Sequence, residues 1–246
     1  MMTFQTLHIE KNNNVLTIFL NRPEKRNALN ALMCHELRTA LAEIDRDESV
    51  SMLLIRSKGT VFCAGADLAE RKTMSPNDVR ARRLIAFAAY DAIEKLSKPS
   101  ISILEGAAIG SGAEIATACD FAIGTENASF RYPEVGWGTI GATQRLPEIV
   151  GRRHAKNLLF TGREVSAHEA LTLGLISQLI QATDLEVHLE GLTKKIVQAP
   201  AIAIKSTKKC VDEATGIRRQ AALGIELLAI ENLMMDAQWK GNIQDF

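Results

Sequence analysis

The stretch 106–134, GAAIGSGAEIATACDFAIGTENASFRYPE, constrains the chain most. An apolar run, ISILEG, leads into a glycine turn, and the turn opens a helix carrying Glu114. A short strand follows, and a second carboxylate, Glu134, stands directly behind Pro133. The helix is apolar nearly all round, through Ile109, Ala113, Ile115, Ala116, Ala118 and Cys119, as a buried helix is. A glutamate on a buried helix is costly unless it is paired or used. Strands and helices alternate on either side of this stretch up to Ile180, which predicts an α/β core.

At 246 residues, 46% of them hydrophobic, the chain can bury the core of one large domain or of a domain with a helical appendage. The 29 basic residues cancel the 29 acidic ones, so the broad positive field that drives nucleic-acid or anionic-membrane binding is missing. The clusters 80–83 and 205–209 read as solvated helix faces. Cys34, Cys63, Cys119 and Cys210 lack the paired spacing of a zinc site or redox dithiol, and the histidines are scattered, so no metal site is expected. No segment reaches the roughly eighteen apolar residues a membrane span needs. The start, MMTFQTLHIEK, has no apolar signal core. The expected address is the cytoplasm.

In chain order, 4–10 and 15–20 predict a β-hairpin closed by KNNN. The loop PEKRNALN leads into a helix with core positions Leu29, Leu32, Met33, Leu37, Ala40, Leu41 and Ile44. SMLLIRS is a buried strand, and FCAGADLAE follows as a loop in which Gly65 frees the backbone. A helix is expected from about 78 to 97, stopped at Lys98 and Pro99. After Glu134 the glycine-rich loop VGWGTIGATQRL places Trp137 as pocket wall or packing. Ser166 with Glu169 reads as a capping box, Gly174 as a helix stop, and LISQLI as a strand. From Leu185 the chain reads as helical, divided near Pro200 and Gly216, with Met234 and Met235 as core or interface. The expected division is an α/β core over 1–184 and a helical region over 185–246.

The turn AAIGSGAE fails as a dinucleotide fingerprint, which needs a third glycine after Gly110 and Gly112. It fails as a nucleophile elbow around Ser111, because Ile109 stands where a glycine belongs. What survives is an anion hole: a glycine turn opening a helix leaves free amides and the positive end of the helix dipole aimed at one point. The Cys63 to Asp67 loop can supply a second amide, and Asp67 itself suits a helix cap. Glu114 and Glu134 then form a pair whose pKa values burial could separate, as acid–base chemistry across one substrate requires.

NRPEKRNALN, FCAGADL, GAAIGSGAEIATACDFAI, and RYPE followed by TQRL together resemble the enoyl-CoA hydratase/isomerase family, the crotonases. The resemblance implies an α/β spiral of ββα units with a C-terminal helical oligomerisation region that builds trimers or dimers of trimers and closes the pocket edge. It implies an acyl-CoA thioester substrate and no cofactor, coenzyme A being part of the substrate. Carried over residue by residue, it puts the oxyanion amides at Ala64 and Ser111 and the two hydratase carboxylates at Glu114 and Glu134. Glu134 would donate a proton to the α-carbon while Glu114 helps take one from water. Lys25, Arg26, Ala28, Ala66, Asp67, Leu68, Gly110 and Trp137 fall in the regions that hold substrate and coenzyme A. Three features depart from the family pattern: Ser111 in place of glycine, a shortened loop after Glu134, and a shortened end, MMDAQWKGNIQDF.

The resulting expectation is an enoyl-CoA hydratase. Its rivals are a double-bond isomerase or hydratase-lyase of the same family, a serine hydrolase at Ser111 with no evident histidine partner, and a non-catalytic CoA-binding protein.

Overall fold

The computed structural model describes residues 3–72, 74–214, 224, 225, 228 and 230. The hairpin pairs β1 (Leu7–Asn12) with β2 (Val15–Leu20) in antiparallel register, Asn12 opposite Val15. Its turn is tighter than KNNN suggested, because Asn13 takes the left-handed backbone (φ 52°) that asparagine tolerates, and the first strand runs on to Asn12. α1 (Ala31–Arg46) follows, capped by the Asn30 side chain, which accepts from the Met33 amide. Beyond it come β3 (Met52–Ser57), a short α2 (Leu68–Arg71) and α3 (Pro76–Glu94). α3 begins earlier than its apolar spacing implied, because Ser75 and Asp78 form a complete capping box with Pro76 at the first turn.

The next two units repeat one plan. β4 (Ser100–Leu104) and β5 (Ala107–Ile109) lead to α4 (Ser111–Ala118); β6 (Phe121–Thr125) and β7 (Ser129–Arg131) lead to α5 (Arg145–Thr161). β8 (Glu164–Ser166), α6 (Ala167–Leu173), β9 (Gln178–Ile180), α7 (Leu185–Gln198) and α8 (Ala201–Ala214) complete the described elements. One sheet has the order β1-β2-β3-β4-β6-β9, parallel from β2 onward, and a smaller one the order β5-β7-β8. Single bridges, Leu29 with Ala66 and Cys63 with Ala108, extend the small sheet back to the earlier units. Each unit thus contributes a strand to the large sheet, a short extended segment to the small one and then a helix, which is the expected ββα spiral.

The main core fills the space between sheets and helices. A second cluster, with Met52, Ile101, Ile123, Leu185 and Leu189, lies where α7 covers the other face of the large sheet. α7 is therefore packed on the α/β core rather than set apart from it. The division near Pro200 is present, whereas Gly216, Met234, Met235 and the last residues lie outside the described residues.

Three local expectations need correction. Ser166 caps α6 by accepting from the Glu169 amide at 3.3 Å, but Glu169 does not return the bond; its carboxylate pairs with Arg163. Arg82 is buried, 3% exposed, and donates to Glu70 and to the Leu29 carbonyl, so 80–83 is not simply a solvated face. Lys208 likewise bridges to Asp120 and Asp212, tying α8 to the end of α4. Among the described residues, no helix is long and apolar enough to cross a membrane.

Candidate active site

Two backbone segments meet at the start of α4. The Cys63 amide donates to the Ala107 carbonyl at 3.1 Å, and the Ile109 amide donates to the Cys63 carbonyl at 2.9 Å. Gly110 then turns the chain with φ 50° and ψ −110°, a backbone that only glycine adopts without strain. A side chain on Gly112 would lie 2.3 Å from the Cys63 carbonyl oxygen, so the helix start touches the loop backbone to backbone. The Ser111 amide opens the helix and has no acceptor among the described residues, as the first helical N–H groups do not.

The loop across from it does not offer the amide that the sequence suggested. Ala64 donates its N–H to the Arg26 carbonyl at 3.0 Å, so that amide is already engaged. The available one belongs to Ala66. Leu29 donates to the Gly65 carbonyl at 2.8 Å and accepts from the Asp67 amide at 2.9 Å, which turns the N–H of Ala66 to the opposite edge. That edge is the one occupied by the 107–111 segment, and no described residue accepts from Ala66 there.

Glu114 and Glu134 reach this junction from different elements. Glu114, one turn into α4, has Oε1 accepting from the Ala142 amide at 2.8 Å and Oε2 at 3.5 Å from Arg145 Nη1. Ala142 holds a positive φ of 51° to present that amide. Glu134 opens a short 3-10 turn, Glu134–Trp137, behind Pro133. Its Oε1 sits against the glycine turn: a side chain on Gly110 would come within 2.6 Å of it, and one on Gly141 within 3.1 Å. Burial pushes the Glu134 carboxyl above its ordinary range and the nearby Glu114 charge adds to this, against its own backbone amide and the cations Arg83 and Arg71.

The other expected residues divide by role. Asp67 is consumed structurally: Oδ1 caps α2 through the amides of Ala69 and Glu70, and Oδ2 accepts from Arg22 at 2.9 Å. Lys25 and Arg26 are exposed on the adjoining loop, and their side chains have no partner among the described residues. Ala28 and Leu68 flank the same loop pair, with Leu68 half exposed. Trp137 is 69% exposed, so it is not packed into the core.

Several residues that shape the site escaped the sequence reading. Asn27, fully buried, accepts from the Arg22 amide and donates to the carbonyls of Lys58 and Val61, locking the loop beneath the hole. Arg83 holds the loop after Glu134 through Thr139 Oγ1 at 2.7 Å and the Ile140 carbonyl at 2.9 Å. Tyr90 is buried, and burial pushes its phenol up while the nearby Ser111 side chain pulls it down. Arg145, present in the TQRL motif, joins Glu114 to Asp91 and Glu94.

Of these three pairs, the two to half-exposed Asp91 and Glu94 contribute little, whereas Glu114 is only 12% exposed. Arg145→Gln is therefore expected to cost about 1–3 kcal/mol in urea unfolding, mainly through the Glu114 contact. Loss of neither stability nor turnover in that variant would remove Arg145 as the Glu114 anchor.

A spiral α/β chain that brings two carboxylates to one junction beside free backbone amides defines a class built for carbonyl chemistry. The chain belongs to the enoyl-CoA hydratase/isomerase family, whose model matches residues 10–246. It is 41% identical to the probable mitochondrial enoyl-CoA hydratase 2 of Arabidopsis thaliana, over 87% of this chain and 71% of that one. It is 34% identical to the short-chain-enoyl-CoA hydratase of Clostridium acetobutylicum, over 92% and 88%. The crystal structure of an enoyl-CoA hydratase from Bacillus anthracis superposes with a TM-score of 0.94 at 30% identity, covering 98% of this chain and 95% of that one.

Proposed function

We propose that this chain is an enoyl-CoA hydratase that adds water across the double bond of a 2-enoyl-CoA thioester. The observation that carries the reading is the meeting of Glu114 and Glu134 beside the unengaged amides of Ala66 and Ser111. Family membership and the named hydratases among its relatives support the same reaction.

In this reading the thioester oxygen lies between the amides of Ala66 and Ser111, which stabilise the charge it gains as the enolate forms. One such donor is typically worth about 3 kcal/mol of barrier. Water attacks the β-carbon and passes one proton to Glu114 while its C–O bond forms. Glu134 gives its proton to the α-carbon: its O–H bond breaks and the C–H bond forms. The enzyme is restored when the proton gained at Glu114 is returned to Glu134, directly or through solvent. The raised pKa of Glu134 suits a proton donor, because it keeps the acid form populated at higher pH.

Lys25 and Arg26, both exposed at the loop mouth, are suited to the phosphates of coenzyme A. Assembly as a trimer or dimer of trimers through 185–246 belongs to the same reading; exposed Ile202, Leu228 and Ile230 support it. So does a cytoplasmic address, supported by four free cysteines. The test is loss of the conjugated thioester absorbance of crotonyl-CoA on adding the purified chain. No loss with crotonyl-CoA or with longer, branched and aromatic 2-enoyl-CoA thioesters would overturn the proposal.

A further inference from the structure

α3 and α4 pack against each other, and Arg145 spans them. Its guanidinium pairs with Asp91 at 3.3 Å and with Glu94, both on α3, and lies 3.5 Å from Glu114 on α4. α4 has only eight residues and its start carries no side-chain cap, so its neighbours must set its place. The position of Glu114 therefore depends on how the end of α3 is held against α4.

One lysine ties those two pieces together. Lys208 Nζ donates to the carbonyl of Glu94, the last residue of α3, at 3.2 Å, and to Asp120, just beyond the end of α4. The other oxygen of Asp120 accepts from the Ser100 amide at 2.7 Å, which anchors the cluster to the start of β4. The Lys208 side chain is only 11% exposed; burial lowers its pKa, but Asp120 more than offsets this, so it stays charged. Glu94 is thus gripped twice, by Lys208 at its carbonyl and by Arg145 at its carboxylate. Lys208 comes from α8, whose apolar packing on the core is thin. None of its described residues is buried, and pockets of about 390 and 430 Å³ open between it and the ends of α3 and α4.

We infer that Lys208 is a positioning residue for Glu114: by clamping the C-terminal ends of α3 and α4 together it fixes Glu94, and with it the Arg145 guanidinium that holds Glu114. The helix α8 then serves the catalytic carboxylate from outside the junction, through Glu94 and Arg145 in turn. The kinetic consequence rests on the hydratase reading, but the chain of contacts does not require turnover.

The test is Lys208→Met, which keeps the apolar stem and removes the charge and its donors. Asp212→Asn is the control, because Asp212 pairs with Lys208 from within α8 and is half exposed. In crotonyl-CoA hydration Lys208→Met is expected to lower kcat about tenfold, as a small misplacement of a reacting group does. Affinity for saturated butyryl-CoA, which cannot be hydrated, should stay within about twofold, and Asp212→Asn should leave kcat unchanged. In an Arg145→Gln background Lys208→Met should cost no more than about twofold further, because both substitutions act on one contact.

A second arm follows hydrogen exchange at the Ala142 amide, which donates to Glu114 Oε1 at 2.8 Å, beside that at Ile109, which donates to the Cys63 carbonyl. Lys208→Met should speed exchange at Ala142 about tenfold and leave Ile109 as it is, whereas a general loss of stability speeds both. If Lys208→Met does not fold, Asp120→Asn weakens the same clamp and is read in the same two ways.

An unchanged kcat in the folded variant, a full further loss in the Arg145→Gln background, or exchange that rises equally at Ala142 and Ile109 would overturn the proposal. A wild type that binds butyryl-CoA but hydrates no 2-enoyl-CoA overturns the hydratase reading alone, and the exchange arm still decides the role of Lys208.

Discussion

Replacing Glu134 with glutamine is expected to slow crotonyl-CoA hydration about 10²- to 10⁴-fold, and Glu114→Gln to do the same, with KM changed far less than kcat. Glutamine keeps the shape of the side chain and some of its hydrogen bonds but neither gives up nor takes a proton at neutral pH. The loss therefore measures proton transfer rather than packing. If both variants stay within a few-fold of wild type, the two-carboxylate mechanism fails. If only Glu134→Gln is inactive, a reaction needing one acid, such as double-bond isomerisation, becomes the better description of the site.

The same variant carries a stability signature. Because burial and then Glu114 raise the Glu134 pKa in the folded chain, the folded state binds that proton more tightly than the unfolded one does. This contribution is fully present below the unfolded pKa, near the ordinary carboxylate range of about 4, and is lost as pH rises through the folded value. Glu134→Gln has no such proton to lose. Its urea midpoint should gain on wild type as pH is raised from acid to neutral, even as activity disappears. A wild-type advantage that grows with pH would contradict the sign.

How far the site was legible in the sequence follows from which contacts are local. The hairpin, the strand-to-helix alternation and the placing of Glu114 one turn into α4 depend on spacing within a single element, and spacing is what a sequence displays. The choice between Ala64 and Ala66 does not. In a regular strand the amides of these two residues would point the same way, but Gly65 takes φ 96° and breaks the alternation. Ala64 then faces Arg26, and Ala66 faces the edge toward the 107–111 segment.

The missed residues act over long separations. Arg145 meets Glu114 from 31 positions away, and Arg83 holds Thr139 from 56. Arg82 read as one more surface cation until α1 and α2 enclosed it around Glu70 and the Leu29 carbonyl. Asn27 looked like one more polar loop residue, yet its three hydrogen bonds set the loop that carries the hole.

Gly112→Ala should disable the site by a different route, through the backbone. At an ordinary position in the first turn of a helix, alanine is a better residue than glycine. Here its methyl would lie 2.3 Å from the Cys63 carbonyl oxygen and 2.8 Å from Cys63 Cβ, and a backbone carbonyl within a bridge to Ala108 cannot swing aside. The remaining relief is for the start of α4 to move away from the 63–66 loop. That motion separates the Ser111 amide from the Ala66 amide.

Overpacking of this kind costs about 1–3 kcal/mol of stability. An oxyanion donor moved out of place costs about 10²- to 10³-fold in turnover. Since Glu134 and the loop holding Lys25 and Arg26 are untouched, butyryl-CoA affinity should fall much less than kcat. Gly136→Ala is the matched control, because a side chain there meets nothing within 4 Å. If Gly112→Ala proves as stable and active as Gly136→Ala, the two segments are not held in backbone contact and the amide pair is not the oxyanion hole.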